Sequence, residues 1–238
     1  MPSFPRRNPI RQIVAGLGLL IVVGGCAGGP FGLAKYNPVL VDEWKKDEKY
    51  GQTLPQRLEE MDRWEAEAAG MPKDRQLAVS QQLDGVIRQE TNTILVTRAV
   101  KAQAAFPTEV ALESLRFALS HPQSDVRIAA CKGWGKRGGP DAPELLANVL
   151  GSDTDQDVRL AAAKELEHFR SPVAIQALGL ALEDGNPALQ YRCVTSLKEV
   201  TGKDYGEDVR AWREYVASGQ AKPAPEASVA ERFLKMLY

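Results

Sequence analysis

Apolar residues recur at every third or fourth position through most of the chain, and in three places that recurrence itself repeats. Val126, Ala130 and Trp134 stand at i, i+4 and i+8, as do Val158, Ala162 and Leu166, and then Leu189, Cys193 and Leu197. Each set is one apolar stripe on a helix of 3.6 residues per turn. The flanking residues repeat with them. Asp125-Val126-Arg127-Ile128-Ala129-Ala130-Cys131-Lys132 returns 32 residues later as Asp157-Val158-Arg159-Leu160-Ala161-Ala162-Ala163-Lys164. A looser copy, Ala188-Leu189-Gln190-Tyr191-Arg192-Cys193-Val194-Thr195, follows 31 residues further on. A period in the low thirties on a helical pattern predicts a stack of helical hairpins, because no single hairpin can bury its apolar face alone.

Each repeated helix has a predecessor that opens at or near a proline, a residue suited to the first helical turn. The pattern therefore predicts hairpins of Pro107–Ser120 with Asp125–Lys136, Pro143–Leu150 with Asp157–Phe169, and Pro172–Leu182 with Pro187–Val200. Ile94–Ala105 has the period without the Asp-Val-Arg signature and reads as the degenerate second helix of a first repeat, so residues 93–202 form the array. Before it, residues 42–92 form an N-terminal helical region. Leu54, Leu58, Met61 and Ala68 mark one helix closed by Gly70, and Leu77, Leu83, Val86 and Ile87 mark the next. After it, Gly202 stops the last repeat helix and Asp208 caps a helix carrying Val209, Trp212 and Val216, so residues 203–219 cover the open end of the stack. No strand pattern of useful length appears, and the expected class is all-α.

The two ends depart from this pattern. Arg6, Arg7 and Arg11 precede an apolar stretch from Ile13 to Val23, and the small pair Gly24-Gly25 precedes Cys26. That is the layout of a secretory signal. Val23-Gly24-Gly25-Cys26 resembles the lipobox of bacterial lipoproteins, which implies that residues 1–25 are removed and that Cys26 carries the lipid. The competing reading is an uncleaved membrane anchor, since the uncharged run from Gln12 to Ala34 is long enough to span a bilayer. Both leave the arginines cytoplasmic and the body on the exported side. Residues 26–41, rich in Gly and Pro, read as a tether. At the other end, residues 220–238 combine a loose linker with a short segment that places Val229, Phe233, Leu234 and Leu237 on one helical face. Phe233 and Leu237 are candidate partner contacts, unless the segment folds back on the array.

Charge narrows the choice of partner. The formal net charge is −1, yet residues 1–25 hold three arginines and no acid, so the remainder is three charges more negative than the total. A mildly acidic body lacks the basic stripe that nucleic-acid binding needs, and no nucleic-acid partner is expected. On the repeated helices Lys132, Lys136, Lys164 and Lys198 are the candidate contacts for an unidentified protein partner. Asp153 stands six residues before Arg159 and Asp184 six before Gln190, with His121 at the same place before Arg127. A turn aspartate can accept from the free amides of the next helix, and an arginine from the adjacent repeat can pair with it. Arg127, Asp153, Arg159 and Asp184 are thus the expected rungs of a structural ladder.

These turn aspartates, the Val126-Arg127 and Val158-Arg159 pairs and the alanine-rich second helices resemble the HEAT repeat, in the bacterial variant shared with phycobilin lyases. Leu166 and Leu197 occupy the family's leucine position, where Trp134 departs to an aromatic. The resemblance implies a right-handed α-solenoid and leaves function open, because the family includes scaffolds, chromophore lyases, hydroxylases and DNA-repair proteins. The iron-dependent hydroxylases carry repeated His-Glu pairs, and this chain contains none. His121 and His168 have no metal-ligand spacing to a second His or Cys. Cys131 and Cys193, two repeats apart, would lie roughly 20 Å from each other and read as small buried hydrophobes. Asp153-Thr154-Asp155-Gln156-Asp157 copies the start of a calcium loop but lacks its glycine and closing glutamate. No catalytic residue, metal or cofactor is therefore expected. The expectation is a non-catalytic, lipid-anchored scaffold at the bacterial cell envelope. A chromophore lyase or isomerase is the alternative.

Overall fold

The computed structural model describes residues 51–219. Cys26, the tether, Phe233 and Leu237 lie outside the described residues. Ten α-helices and no strand occur among those described: α1 (Leu54–Glu67), α2 (Lys73–Gln89), α3 (Thr93–Gln103), α4 (Glu109–Ala118), α5 (Ser124–Arg137), α6 (Ala142–Ser152), α7 (Gln156–Glu165), α8 (Pro172–Ala181), α9 (Pro187–Thr201) and α10 (Val209–Ser218). They form an α-solenoid of helical hairpins. α1, α3, α5, α7 and α9 pack side by side as one layer. In the second layer α2 packs on α4, α6 on α8, and α8 on α10, while an Arg116–Asp141 ion pair links α4 to the start of α6. The stacking begins before Thr93, because α1 packs on α3 and α2 packs on both α3 and α4.

The helix starts follow from local chemistry. Asn92, Asp155 and Asn186 each accept two amide hydrogen bonds at the starts of α3, α7 and α9, and Thr108 and Ser171 each accept one at α4 and α8. Such caps satisfy donors that have no partner within the helix. The sequence pattern carries the seventh helix to Phe169, but α7 ends at Glu165 and tightens into a 3-10 turn over Leu166–His168. That turn keeps Leu166 fully buried.

The core runs between the layers as one continuous cluster. Val126, Ala130 and Trp134 of α5, Val158 and Ala162 of α7 with Leu166, and Leu189, Cys193 and Leu197 of α9 are all fully or almost fully buried. The stripes read from the sequence are thus the inter-layer seam. The last hairpin is closed by α10, whose buried Trp212 donates from Nε1 to the Gly206 carbonyl at 3.1 Å and meets Tyr205 edge-on at 5.0 Å. Gly179 of α8 lets this cap approach closely, since a Cβ there would lie 2.5 Å from Val216 Cγ1.

Candidate functional site

Two features of the stack are built from functional-type side chains: a ladder along its turns and a groove on the face of the odd-numbered helices.

The ladder uses the fourth residue of α5, α7 and α9. Arg127 forms a bidentate pair with Asp153, at 2.7 and 2.9 Å, and also donates to the His121 carbonyl at 2.9 Å. Arg159 repeats this with Asp184 at 2.8 Å and the Leu150 carbonyl at 2.9 Å. Arg127 therefore ties the turn before its own helix, and Arg159 the end of α6, to the turn of the next repeat. Gln190, third in the series, keeps the first half only, donating to the carbonyls of Leu182 and Asp184 at 3.2 and 2.6 Å. Among the described residues its helix is the last of its layer, and no further repeat turn follows it there.

The two rungs differ in burial. The side chains of Arg127 and Asp153 are 14% and 8% exposed, those of Arg159 and Asp184 22% and 25%. Burial alone would raise the Asp153 carboxyl. The Arg127 hydrogen bonds, the Asp155 amide and the charges of Arg127 and Arg159 outweigh it and hold the group below its ordinary 3.8. Asp184 is likewise lowered, first by the Asn186 amide and then by Arg159. Asp153 accepts within its turn, from the Asp155 amide at 2.8 Å, and it is Asp155 that caps α7. Both carboxylates are thus engaged in turn and helix-start bonds. No group of three residues that could hold a metal ion occurs among the described residues. Cys131 and Cys193 are buried, and that burial pushes both thiols up to about 12, which leaves them inert as nucleophiles.

The groove, of about 710 Å³, crosses α3, α5 and the end of α7. Its apolar lining comes from Ile94, Ala104, Ile128 and Ala129, and its cationic lining from Arg98, Lys101, Lys132 and Lys136. Glu65 of α1 lies between two of these lysines, 2.8 Å from Lys136 and 3.5 Å from Lys101, and Arg98 pairs with Asp62. Lys132 has no such carboxylate within ion-pair distance among the described residues. Asp125 and Lys132 of the lining are exposed, and two less exposed polar groups there lack a hydrogen-bond partner among the described residues. Thr97 Oγ1 is one. The Glu165 carboxylate is the other, 8% exposed, with only His168 Nε2 near it at 3.6 Å. Burial drives the Glu165 carboxyl above its ordinary 4.5, against the opposing charges of His168, Lys164 and Lys132.

The four lysines expected to form a partner face separate into two kinds. Lys136 is tied to Glu65, and Lys198 to Asp204 at 2.9 Å. Lys132 and Lys164 are exposed, stand at the same ninth position of α5 and α7, and have no ion-pair partner among the described residues. The sequence reading passed over Arg98, Lys101 and Glu165. Register is the signal that marks Glu165: the tenth residues of α3, α5, α7 and α9 are Ala102, Gly133, Glu165 and Ser196, three small residues and one acid. The acid fits because α5 offers Gly135 opposite it, where any Cβ would come within 2.0 Å of Glu165 Oε2.

Among the described residues no helix is long and apolar enough to cross a membrane. No curated protein matches the chain at a significant level. The family model for HEAT repeats matches twice, over residues 86–166 and 143–212, from within α2 to Trp212 of the cap. These overlapping segments cover more than half of the 238 residues and both rungs of the turn ladder. A two-layer stack of hairpins, repeating arginines on its second helices and this match lead to one conclusion: the chain belongs to the HEAT-repeat family.

Proposed function

We propose that the protein is a non-catalytic, lipid-anchored HEAT scaffold on the exported side of a bacterial inner membrane, where it holds a protein partner against its helical surface. HEAT repeats commonly mediate protein–protein interaction. The observation that carries the reading is the groove across α3, α5 and α7, whose lining is drawn from three successive repeats rather than from one enclosed pocket. Such a surface exists only in the stack, which is how a solenoid recognises a partner. The arginines at 6, 7 and 11, the apolar run after them and Cys26 support the location. A lipidated Cys26 would hold the molecule at the membrane, and residues 27–41 would give the array reach.

Two measurements test this. Cys26→Ser should move the protein from the membrane fraction to the soluble fraction. Retention at the membrane would replace the lipid anchor by a spanning one. Affinity capture of the full chain from membrane extracts, with cross-linking, should recover the same partner protein in repeated experiments. Recovery of none would sink the scaffold reading.

A further inference from the structure

Aligned by their starts, the odd-numbered helices carry two rows side by side. The fifth positions of α3, α5, α7 and α9 are Thr97, Ile128, Leu160 and Tyr191, and the ninth positions are Lys101, Lys132, Lys164 and Thr195. Ile128 and Leu160 are half-buried, and Tyr191 is 58% exposed. An apolar row over α5, α7 and α9 thus runs beside a lysine row over α3, α5 and α7, each ending in a threonine on the remaining helix. At the α3 end the molecule supplies its own acid, since Glu65 of α1 meets Lys101. Further along, Lys132 and Lys164 have no carboxylate within ion-pair distance among the described residues, the Thr97 hydroxyl has no hydrogen-bond partner there, and the buried Glu165 carboxylate has only His168 Nε2 near it, at 3.6 Å.

We propose that this double row docks an acidic amphipathic helix of a protein partner, laid across the stack with carboxylates facing Lys132 and Lys164 and apolar residues facing Ile128, Leu160 and Tyr191. The inference rests on the scaffold reading and specifies its partner. The spacing is what selects a helix. Packed helices lie about 8–10 Å apart, and seven residues of α-helix rise about 10.5 Å, so one turn-pair of the partner matches one repeat of the array. Carboxylates seven residues apart would then meet successive lysines, and apolar residues three or four positions on would meet the other row. Lysines that are exposed and unpaired cost little to engage, and complementary charge fixes register more than it adds affinity.

The test uses the full chain in detergent and a designed helical peptide with Glu at three positions seven apart, Leu three and four positions after each, and neutral residues elsewhere. Fluorescence anisotropy should show the Glu peptide binding at least tenfold more tightly than its Lys counterpart. Lys132→Glu with Lys164→Glu, both exposed, should weaken the Glu peptide at least tenfold and strengthen the Lys peptide. Lys203→Glu, at the exposed turn after α9, should change neither. No binding of the Glu peptide, or equal binding by the double variant, overturns the proposal. Carbodiimide cross-linking of the protein alone gives a second arm. Linkage of Lys132 or Lys164 to Glu226 or Glu231 would assign the strip to the chain's own tail, or to a second copy, and overturn it. Capture from membrane extracts separates the two readings. A partner still captured by the double charge reversal leaves the scaffold standing without this strip, whereas a partner captured by neither form removes both.

Discussion

Between α5 and α9 the repeats are tied at their turns by arginine–aspartate pairs, and between α2 and α4 they are tied from inside by a network of side-chain hydrogen bonds. In the first region Arg127 and Arg159 reach from one repeat to the next aspartate. In the second, the matching fourth residue of α3 is the buried Val96, and the matching turn residue is His121, so both ends of a rung are replaced together. What stands nearby is a buried network. Gln103 Nε2 donates to the Ser80 carbonyl and to Ser114 Oγ, each at 3.0 Å. Ser114 in turn donates to Asp84 at 2.6 Å, and Ser80 and Thr108 share a hydrogen bond at 2.6 Å. The ladder is periodic because one side chain on each repeat does the same thing. The network is not, because its members come from unrelated positions on three helices. A repeat protein can thus keep its stacking while exchanging its means of stacking.

The difference between the two regions is largest at the first rung. Arg127→Ala should cost about 3 kcal/mol, because it removes the bidentate partner of a nearly buried carboxylate and leaves it only the Asp155 amide and the more distant charge of Arg159. Arg127→Val with Asp153→His, the residues that stand at the matching positions 96 and 121, should cost less than the single change. Urea denaturation of the three proteins measures this, and a loss below about 1 kcal/mol for Arg127→Ala would mean that the rung is only a surface pair. Next is the interior network. Gln103→Leu should cost about 1–3 kcal/mol, since it strips a donor from a buried carbonyl. An effect near zero would show that the α2–α4 region stacks by apolar contact alone.

Two carboxyls in the ladder region shift in opposite directions, so pH sharpens the comparison further. Asp153 is lowered. Its contribution is complete above the ordinary 3.8 and is lost as pH falls through the lower folded value. Glu165 is raised, so its ionised form is disfavoured by folding, and the penalty is complete above the folded value and absent below the ordinary 4.5. Glu165→Gln should therefore stabilise the protein at neutral pH, with a gain that vanishes in acid. Asp153→Asn should destabilise it at neutral pH, with a loss that shrinks in acid. Denaturation midpoints across this range check both signs. The smallest effect belongs to the end of the series: Gln190→Arg should change stability by no more than about 0.5 kcal/mol, since among the described residues no turn of a further repeat offers an aspartate to the longer side chain. A clear gain would mean that the last repeat has an acidic neighbour outside residues 51–219.

Much of the fold was legible because a repeat states its helix period several times. The stripes from Val126, Val158 and Leu189 located the inter-layer seam. The spacing of Arg127 and Arg159 from the turn aspartates placed the ladder partners, since equal offsets in successive repeats become equal displacements in a stack. The candidate site was legible only in part. Lys132 and Lys164 could be read as a row, but Lys136 and Lys198 could not be set apart from them, because the acids that occupy them, Glu65 and Asp204, lie outside the repeated register. Glu165 was hidden for a similar reason. An acid beside a lysine on a helix looks like a solvated surface residue until Gly135 of the neighbouring helix draws it inward.

The all-helical class, the hairpin period, the buried stripes and the residues of the ladder follow from the order of residues along the chain. Those properties depend on side-chain spacing along one chain, and spacing is what a sequence records. The tertiary structure decided which cations are already paired and which are open. It also decided that α1 and α2 continue the stack and that one acid is buried in the wall of a groove. Those outcomes depend on where two helices far apart in sequence approach each other. That distance is set by the size of the residues between them and by no local pattern.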